Sequence, residues 1–413
     1  MTPKRSAASG SKPVTAPDPN GTLVLPEPFL KLCRDAGELT GWTPFLLGAV
    51  VSTLLLWGSL SWVRRRRLRG RPYRAVRFGT RVIVGLSVFL TVALGVNSYA
   101  GYFPSFSALG LWLSSSTDTA PAEPGEALGA LSERRIHTTA THGVLFQVTI
   151  PSSSERVPDS KAWVYLPPGY DQDSEAERYP VVLGLHGNPG KGADWFAGGQ
   201  LDFTLDTLIN ARAFPKAIFI SPDLSGSAGL DYLEPVNTPG GAQTETFVTK
   251  DVVGWVDQNL RTEPDREHRV IAGFSSGGYG SLVLGFRHPD LFGGVISMLP
   301  YLDPQTPSIV ASEELVGQYE PVKLIRNAHV IPPTFIGMVG EESPKAGDET
   351  SAALSEQGAV FTKRMFPAQA HTWGAARTIM PYGLVWIAQQ LGWAAPITSD
   401  MSSFPTSCVP VPN

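Results

Sequence analysis

The chain has 413 residues, of which 42% are apolar, and its 42 glycines and 36 prolines imply many loops. It is long enough for one large domain with attachments, or for two ordinary domains. The net charge of −4 hides a segregation: residues 64–81 hold nine arginines and no acidic residue, leaving −13 for the rest. A basic run of this kind can mark a nucleic-acid partner, but its flanks argue against one here.

Residues 1–28 are rich in Pro, Ser, Thr and Gly and are expected to be unstructured, with a short interfacial turn over 29–42. Together they form an N-terminal segment, 1–43. Pro44–Val63 and Val82–Phe103 are uncharged apolar runs of 20 and 22 residues. Each can cross a bilayer core of about 30 Å as a helix. Two such runs around an arginine-rich connector read as a transmembrane hairpin over 44–103. The positive-inside rule places connector 64–81 in the cytoplasm, so both chain ends lie on the far side of a cell membrane spanned twice. The arginines then serve as topology determinant and anionic-lipid contact. Tyr99 and Tyr102 stand where an aromatic belt is expected, and 104–134 reads as a linker. Cys33 and Cys408 both face the oxidising side in this topology. A disulfide between them is allowed but not required, and no Cys or His spacing suggests a metal site.

From residue 135 to 394 the texture changes to short apolar runs separated by helical patterns. Strands are expected at Val144–Ile150, Lys161–Leu166, Tyr179–Leu185, Ala217–Ile220, His268–Gly273, Phe292–Leu299, Pro333–Val339 and Val360–Phe366. Helices are expected at Thr244–Leu260 and Trp373–Leu391. This alternation predicts an α/β domain with a mainly parallel sheet covered by helices on both faces. Residues 395–413, with four prolines, read as a tail.

The chemistry centres on Gly273-Phe274-Ser275-Ser276-Gly277, between an apolar strand and the helical pattern of Leu282, Val283, Leu284 and Phe286. This G-x-S-x-G pattern matches a nucleophile elbow, in which a strained turn projects the serine Oγ above a sheet. A side chain at Gly273 or Gly277 would collide with a neighbouring element. Ser276 supplies a backbone N–H toward an oxyanion, aided by the positive end of its helix. A serine needs a base, itself oriented by a third group. His371 follows the last strand and precedes the last helix, which gives the hydrolase order Ser, acid, His. Gly187 and Asn188, in Leu185-His186-Gly187-Asn188-Pro189-Gly190, follow a buried strand and can offer a second oxyanion donor. His186 reads as a structural residue of that loop, and His288 as a helix end.

These stretches, with Tyr165-Leu166-Pro167-Pro168-Gly169-Tyr170, Asp194-Trp195-Phe196, Ile220-Ser221-Pro222-Asp223, Thr249-Lys250-Asp251-Val252-Val253 and His288-Pro289-Asp290-Leu291-Phe292, carry a resemblance. The chain resembles the α/β-hydrolase serine esterases of the esterase D and mycolyltransferase superfamily, in particular their actinobacterial membrane-anchored members. The likeness covers about residues 82–391 and includes the Asn97–Pro104 stretch after the second span. It implies the α/β-hydrolase fold, Ser275 as nucleophile, His371 as base, and N–H groups near Gly187, Asn188 and Ser276 as oxyanion hole, with no cofactor. Such relatives commonly carry an acid in Gly-x-x-Asp-Pro after the penultimate strand. Here the stretch is Gly340-Glu341-Glu342-Ser343-Pro344, so Ser343 falls where the acid is expected. Glu342, one residue earlier, is the first choice for the acid, and Glu341 and Asp348 are alternatives. The expected function is therefore a membrane-anchored, extracytoplasmic serine esterase or acyltransferase. Its substrates would be carboxylic esters, including lipid or acylated-sugar esters of the envelope, and its other contacts membrane lipids rather than nucleic acid. The displaced acid keeps a second reading open, a non-catalytic envelope scaffold or binding protein on the same fold.

Overall fold

The computed structural model describes residues 23, 25–27, 29–31, 37–39, 41–115, 138–171, 177–224, 234–340, 345–366 and 370–393. Cys33, Cys408, the tail and the linker beyond residue 115 lie outside them.

The short apolar runs form eight strands: β1 (Val144–Ile150), β2 (Ser160–Leu166), β3 (Val181–Leu185), β4 (Ile218–Pro222), β5 (Arg269–Phe274), β6 (Gly294–Met298), β7 (Thr334–Val339) and β8 (Phe361–Phe366). They make one sheet in the order β1-β2-β4-β3-β5-β6-β7-β8. β1 and β2 pair antiparallel, as do β2 and β4, and the other neighbours are parallel. β3 to β7 are buried throughout, which is why they read as unbroken apolar runs rather than as alternation.

Successive residues of these strands feed two cores, one on each face of the sheet. On one face Val182, Val270, Ala272, Ile296 and Phe335 pack with Trp195, Leu205 and Trp386. On the other, Val181, Leu183, Ile271, Val295 and Ile336 pack with Phe247, Leu282 and Phe292.

Ahead of the sheet stand α1 (Thr43–Leu68), α2 (Arg74–Ala100) and α3 (Phe106–Ser115). α1 and α2 pack on each other and are long and apolar enough to cross a membrane, with few residues buried. α1 runs past Val63 and α2 begins before Val82, because their arginine-bearing ends continue the same helices, and α2 stops at Ala100, short of Phe103. α3 falls where a linker is expected. Its sequence FSALGLWL is apolar, and Leu111 packs against the α/β core. The expectation of unstructured or interfacial chain before residue 43 also fails at Leu25, Phe29 and Leu30. All three are buried in the core that contains Tyr382 and Trp386, and Arg364 of β8 donates to the Leu23 carbonyl at 2.6 Å.

The helices that matter to the site are α4 (Asp194–Ala197), α5 (Leu201–Asn210), α6 (Thr244–Asn259), α7 (Ser276–Arg287), α8 (Pro307–Val310), α9 (Glu313–Tyr319), α10 (Pro321–Asn327), α11 (Lys345–Glu356) and α12 (Trp373–Gln390). α6 is expected as one regular helix, but Phe247–Val252 is a wider π-type turn within it. That turn includes Asp251, whose carboxylate accepts the Ser153 N–H at 2.9 Å, the Ser153 hydroxyl at 2.6 Å and the Ser154 hydroxyl at 2.7 Å.

Candidate active site

β5 runs up the middle of the sheet between β3 and β6 and ends at Phe274. The next residue, Ser275, adopts φ 58° and ψ −117°, a backbone conformation costing about 1–3 kcal/mol for a residue with a Cβ. Its N–H donates to the Met298 carbonyl of β6 at 2.9 Å, and its carbonyl accepts from Tyr279 at 2.9 Å, so the turn is fastened on both sides.

The glycines explain how so sharp a turn fits. A Cβ on Gly273 would lie 1.8 Å from the Gly277 carbonyl oxygen, and one on Gly277 would lie 2.1 Å from that of Leu185. One on Gly278 would sit 2.4 Å from the Met298 carbonyl oxygen. All are far below contact distance, so α7 starts pressed against β3, β5 and β6. Ser276 is the first residue of α7, and its N–H has no carbonyl one turn earlier to bond.

Gly187 lies over this turn. A Cβ there would be 3.3 Å from Ser275 Cβ and 3.3 Å from the Phe274 ring, so its main chain closes over the serine. Asn188 follows, joined to Pro189 by a cis peptide. His186 anchors the loop from below. Its Nδ1–H donates to the Gly187 carbonyl at 2.7 Å, and its Nε2 accepts the Leu224 N–H at 2.9 Å. With both ring nitrogens engaged and only 2% of the residue exposed, His186 is a scaffold of the loop. His288 is likewise engaged, by the carboxylate of Glu245 at 2.7 Å.

His371 is exposed at the mouth of the sheet, on the short connection into α12. Its ring centre stands 5.2 Å from that of Phe274, the residue before Ser275. Trp373 continues the wall, 4.7 Å from Phe274 and 5.4 Å from Trp195. Ser275, Ser276, Gly187 and His371, contributed by three separate connections, therefore gather at the carboxyl ends of β3 and β5.

The acids fare differently. Glu341, Glu342 and Ser343 lie outside the described residues. Asp348, on α11, has its carboxylate engaged by the Lys363 ammonium of β8. Among the described residues no group of three or more His, Cys, Asp or Glu side chains is arranged to hold a metal ion.

An open groove of about 350 Å³ adjoins His371, lined by Leu299, Tyr301, Leu302, Met338 and Ala346, with Asp303 and Lys345 at its polar edge. Its wall rests on Glu234, a buried carboxylate that sequence reading does not single out. Glu234 accepts from the Tyr301 hydroxyl at 2.9 Å, the Gln305 N–H at 2.8 Å, the Thr306 N–H at 2.9 Å and the Thr306 hydroxyl at 2.6 Å. Tyr301 in turn stacks on Tyr279 of α7 at 5.0 Å. Glu245, also buried, fastens the far end of α7 by accepting from Arg287 at 2.9 Å, His288 at 2.7 Å and Tyr319 at 2.7 Å.

Known proteins resemble parts of this chain. An uncharacterized protein of Corynebacterium glutamicum is 29% identical over 181 residues, 43% of this chain and 41% of its own length. The endo-1,4-β-xylanase/feruloyl esterase of Xylanibacter ruminicola is 26% identical over 227 residues, 52% of this chain and 27% of its own. The chain thus spans less than half the length of either relative. A solved ferulic acid esterase superposes with a TM-score of 0.53 at 22% identity, covering 60% of this chain and 99% of that one, a likeness of fold. That fold is the α/β-hydrolase fold. The Esterase family model matches residues 154–374, more than half of the 413, and spans the loop over Ser275, the elbow and His371. With the strained serine and its glycine frame inside that match, the chain belongs to the Esterase family.

Proposed function

We propose that the protein is a membrane-anchored serine esterase that works through an acyl-enzyme. The observation that carries this reading is Ser275 itself, held at φ 58° at the tip of the central strand with Gly187 packed over it. A strained serine that serves only as a turn residue would be replaced at less cost by glycine. In the proposed cycle Ser275 Oγ attacks the ester carbonyl while His371 takes its proton, and His371 then returns the proton to the departing alkoxide. The N–H groups of Ser276 and of the Gly187–Asn188 loop receive the oxyanion. Water or an alcohol then attacks the acyl group, with His371 as base again. Glu342 is assigned the orienting role toward His371, and Glu341 comes next. Asp348 ranks last, since Lys363 already engages it.

The groove beside His371 supports carboxylic esters with an apolar portion, because Leu299, Leu302 and Met338 line it. The Xylanibacter relative is named a feruloyl esterase, and in this chain Tyr301 offers the groove an aromatic wall. The two apolar helices support anchoring, with arginine connector 64–81 in the cytoplasm and the domain on the far side, next to lipid or acylated-sugar esters. Ser343, standing where related chains carry an acid, favours the second reading of a non-catalytic scaffold. Hydrolysis of p-nitrophenyl esters by the full chain in detergent separates the two. Turnover that falls at least about 1000-fold in Ser275→Ala is expected. No turnover, or turnover unchanged in that variant, would reject the enzyme.

A further inference from the structure

The segment that leaves α2 does not hang free before the domain begins. Gly101 ends α2 at φ +60°, its N–H bonded to the Asn97 carbonyl at 2.7 Å. The Asn97 side chain then clamps Phe103 twice. Its Oδ1 accepts the Phe103 N–H at 2.7 Å, and its Nδ2 donates to the Phe103 carbonyl at 2.8 Å. Between these fixed points the Tyr102 hydroxyl donates to Asp194 Oδ1 at 2.6 Å, across 92 residues of sequence.

Asp194 is 1% exposed, and it is the residue around which the loop over Ser275 is folded. Its Oδ2 accepts the Lys191 N–H at 2.9 Å. A Cβ on Gly190 would lie 2.8 Å from that same Oδ2 and 2.5 Å from the Gly187 carbonyl oxygen. One carboxylate oxygen thus faces the loop and the other faces Tyr102. Burial pushes the Asp194 carboxyl up, and the Tyr102 hydroxyl and the Lys191 N–H counter that push. Lys191 is held from the same side, donating to the Trp112 carbonyl at 3.0 Å with its ammonium 4.1 Å from the centre of the Trp112 ring. Gly101 also approaches the start of α12, just after the connection that carries His371. A Cβ there would be 3.4 Å from Arg377 and 3.7 Å from Gly374, and Arg377 donates to the Gly198 carbonyl just after α4.

We propose that residues 97–112 are a working part of the active site, with Tyr102 a positioning residue that fixes the oxyanion loop through Asp194. The inference rests on the serine-esterase reading. Oxyanion donors act only when held within fractions of an ångström of the developing charge. A buried carboxylate oxygen deprived of its donor draws its loop toward a new partner. The domain then reaches full rate only when attached to α2, and the membrane-side segment sets the rate of the chemical step rather than merely the address.

The test uses the full chain in lipid nanodiscs, with active sites first titrated to completion by a fluorophosphonate and kcat then expressed per titrated site. Tyr102→Phe keeps the ring and removes the donor. We expect the titratable fraction and KM to stay within twofold while kcat per site falls about tenfold, below the 100-fold or more of a lost oxyanion donor. A merely structural role would lower the titratable fraction and leave kcat per site unchanged. Unchanged kcat per site therefore overturns the proposal, whatever the fraction. Should Tyr102→Phe give no titratable sites, Trp112→Leu decides, with about a threefold fall in kcat per site expected and an unchanged value overturning it. Failure of the wild-type chain to titrate at all would instead sink the esterase reading.

Discussion

The α1–α2 hairpin and helix α12 are both apolar helical structure, yet they treat their side chains in opposite ways. α12 buries nearly all of its residues from Trp373 to Ala388 against β6 and β7. In the hairpin Leu54, Trp57, Leu60, Phe89 and Val96 point outward, and small and hydroxyl-bearing residues take part in the contact between the helices. Ser52 bonds Ser87 at 2.7 Å and Thr91 at 2.9 Å, and Gly95 leaves room for the Phe45 ring. Helices in lipid associate in this manner, through close backbone approach and hydroxyl bonds, because burying leucine gains nothing there. The sheet domain keeps its apolar side chains inside, and the hairpin turns its own outward. Charge follows the same division. Residues 43–100 contain no acidic residue, while the domain buries Glu234, Glu245 and Asp194 with partners in place.

The largest expected effect comes from placing a charge on the outward face of the hairpin. Leu54 is 60% exposed, so Leu54→Arg would cost almost nothing in water. In a bilayer it costs about 3 kcal/mol, and we expect a clear loss of membrane-inserted protein in a glycosylation-reporter insertion assay. Unchanged insertion would mean that this face does not meet lipid.

A smaller effect is expected from the domain's buried charge. Burial pushes the Glu245 carboxyl up, but the hydrogen bonds from His288 and Tyr319 and the Arg287 charge outweigh it and hold the group at about 2. A carboxyl depressed from 4.5 stabilises the folded state fully above pH 4.5, and that contribution is lost as pH falls from 4.5 toward 2. Glu245→Gln should therefore lower stability at pH 7 by about 2 kcal/mol and flatten the loss of melting temperature below pH 4.5, as read by scanning calorimetry. An acid limb as steep as that of the wild type would remove Glu245 from this role.

What was legible beforehand follows from whether a signal is local. VVLGL, VIAGF and TFIGMV announce buried strands by themselves, and β1 spans the Val144–Ile150 stretch expected as a strand. The elbow was readable for the same reason, since Gly273, Ser275 and Gly277 constrain one turn. Tyr102 read as an aromatic-belt residue, because its partner Asp194 lies 92 residues away. Glu245 meets His288 and Tyr319 across 43 and 74 residues, and Glu234 meets Thr306 across 72. No local pattern announces a pairing of that span. Leu25, Phe29 and Leu30 carry no such signal, because a few apolar side chains around two prolines make no periodicity, although all three are buried.

The smallest expected effect concerns the carboxylate proposed to orient His371. Glu342→Gln should lower kcat about tenfold, or about 1.4 kcal/mol of transition-state stabilisation. Asp348→Asn should leave kcat within twofold, because its carboxylate is engaged by Lys363. The reverse ranking in steady-state esterase assays would move the orienting role to Asp348.

The most direct test of the central claim is the site of covalent capture. Full-length protein treated with a fluorophosphonate, digested and mapped by mass spectrometry should carry one adduct per chain, on Ser275 in the peptide that contains Gly273-Phe274-Ser275-Ser276-Gly277. The adduct should be absent from Ser275→Ala and slow to form in His371→Ala. Capture at another serine, or none in a folded chain, would contradict the account.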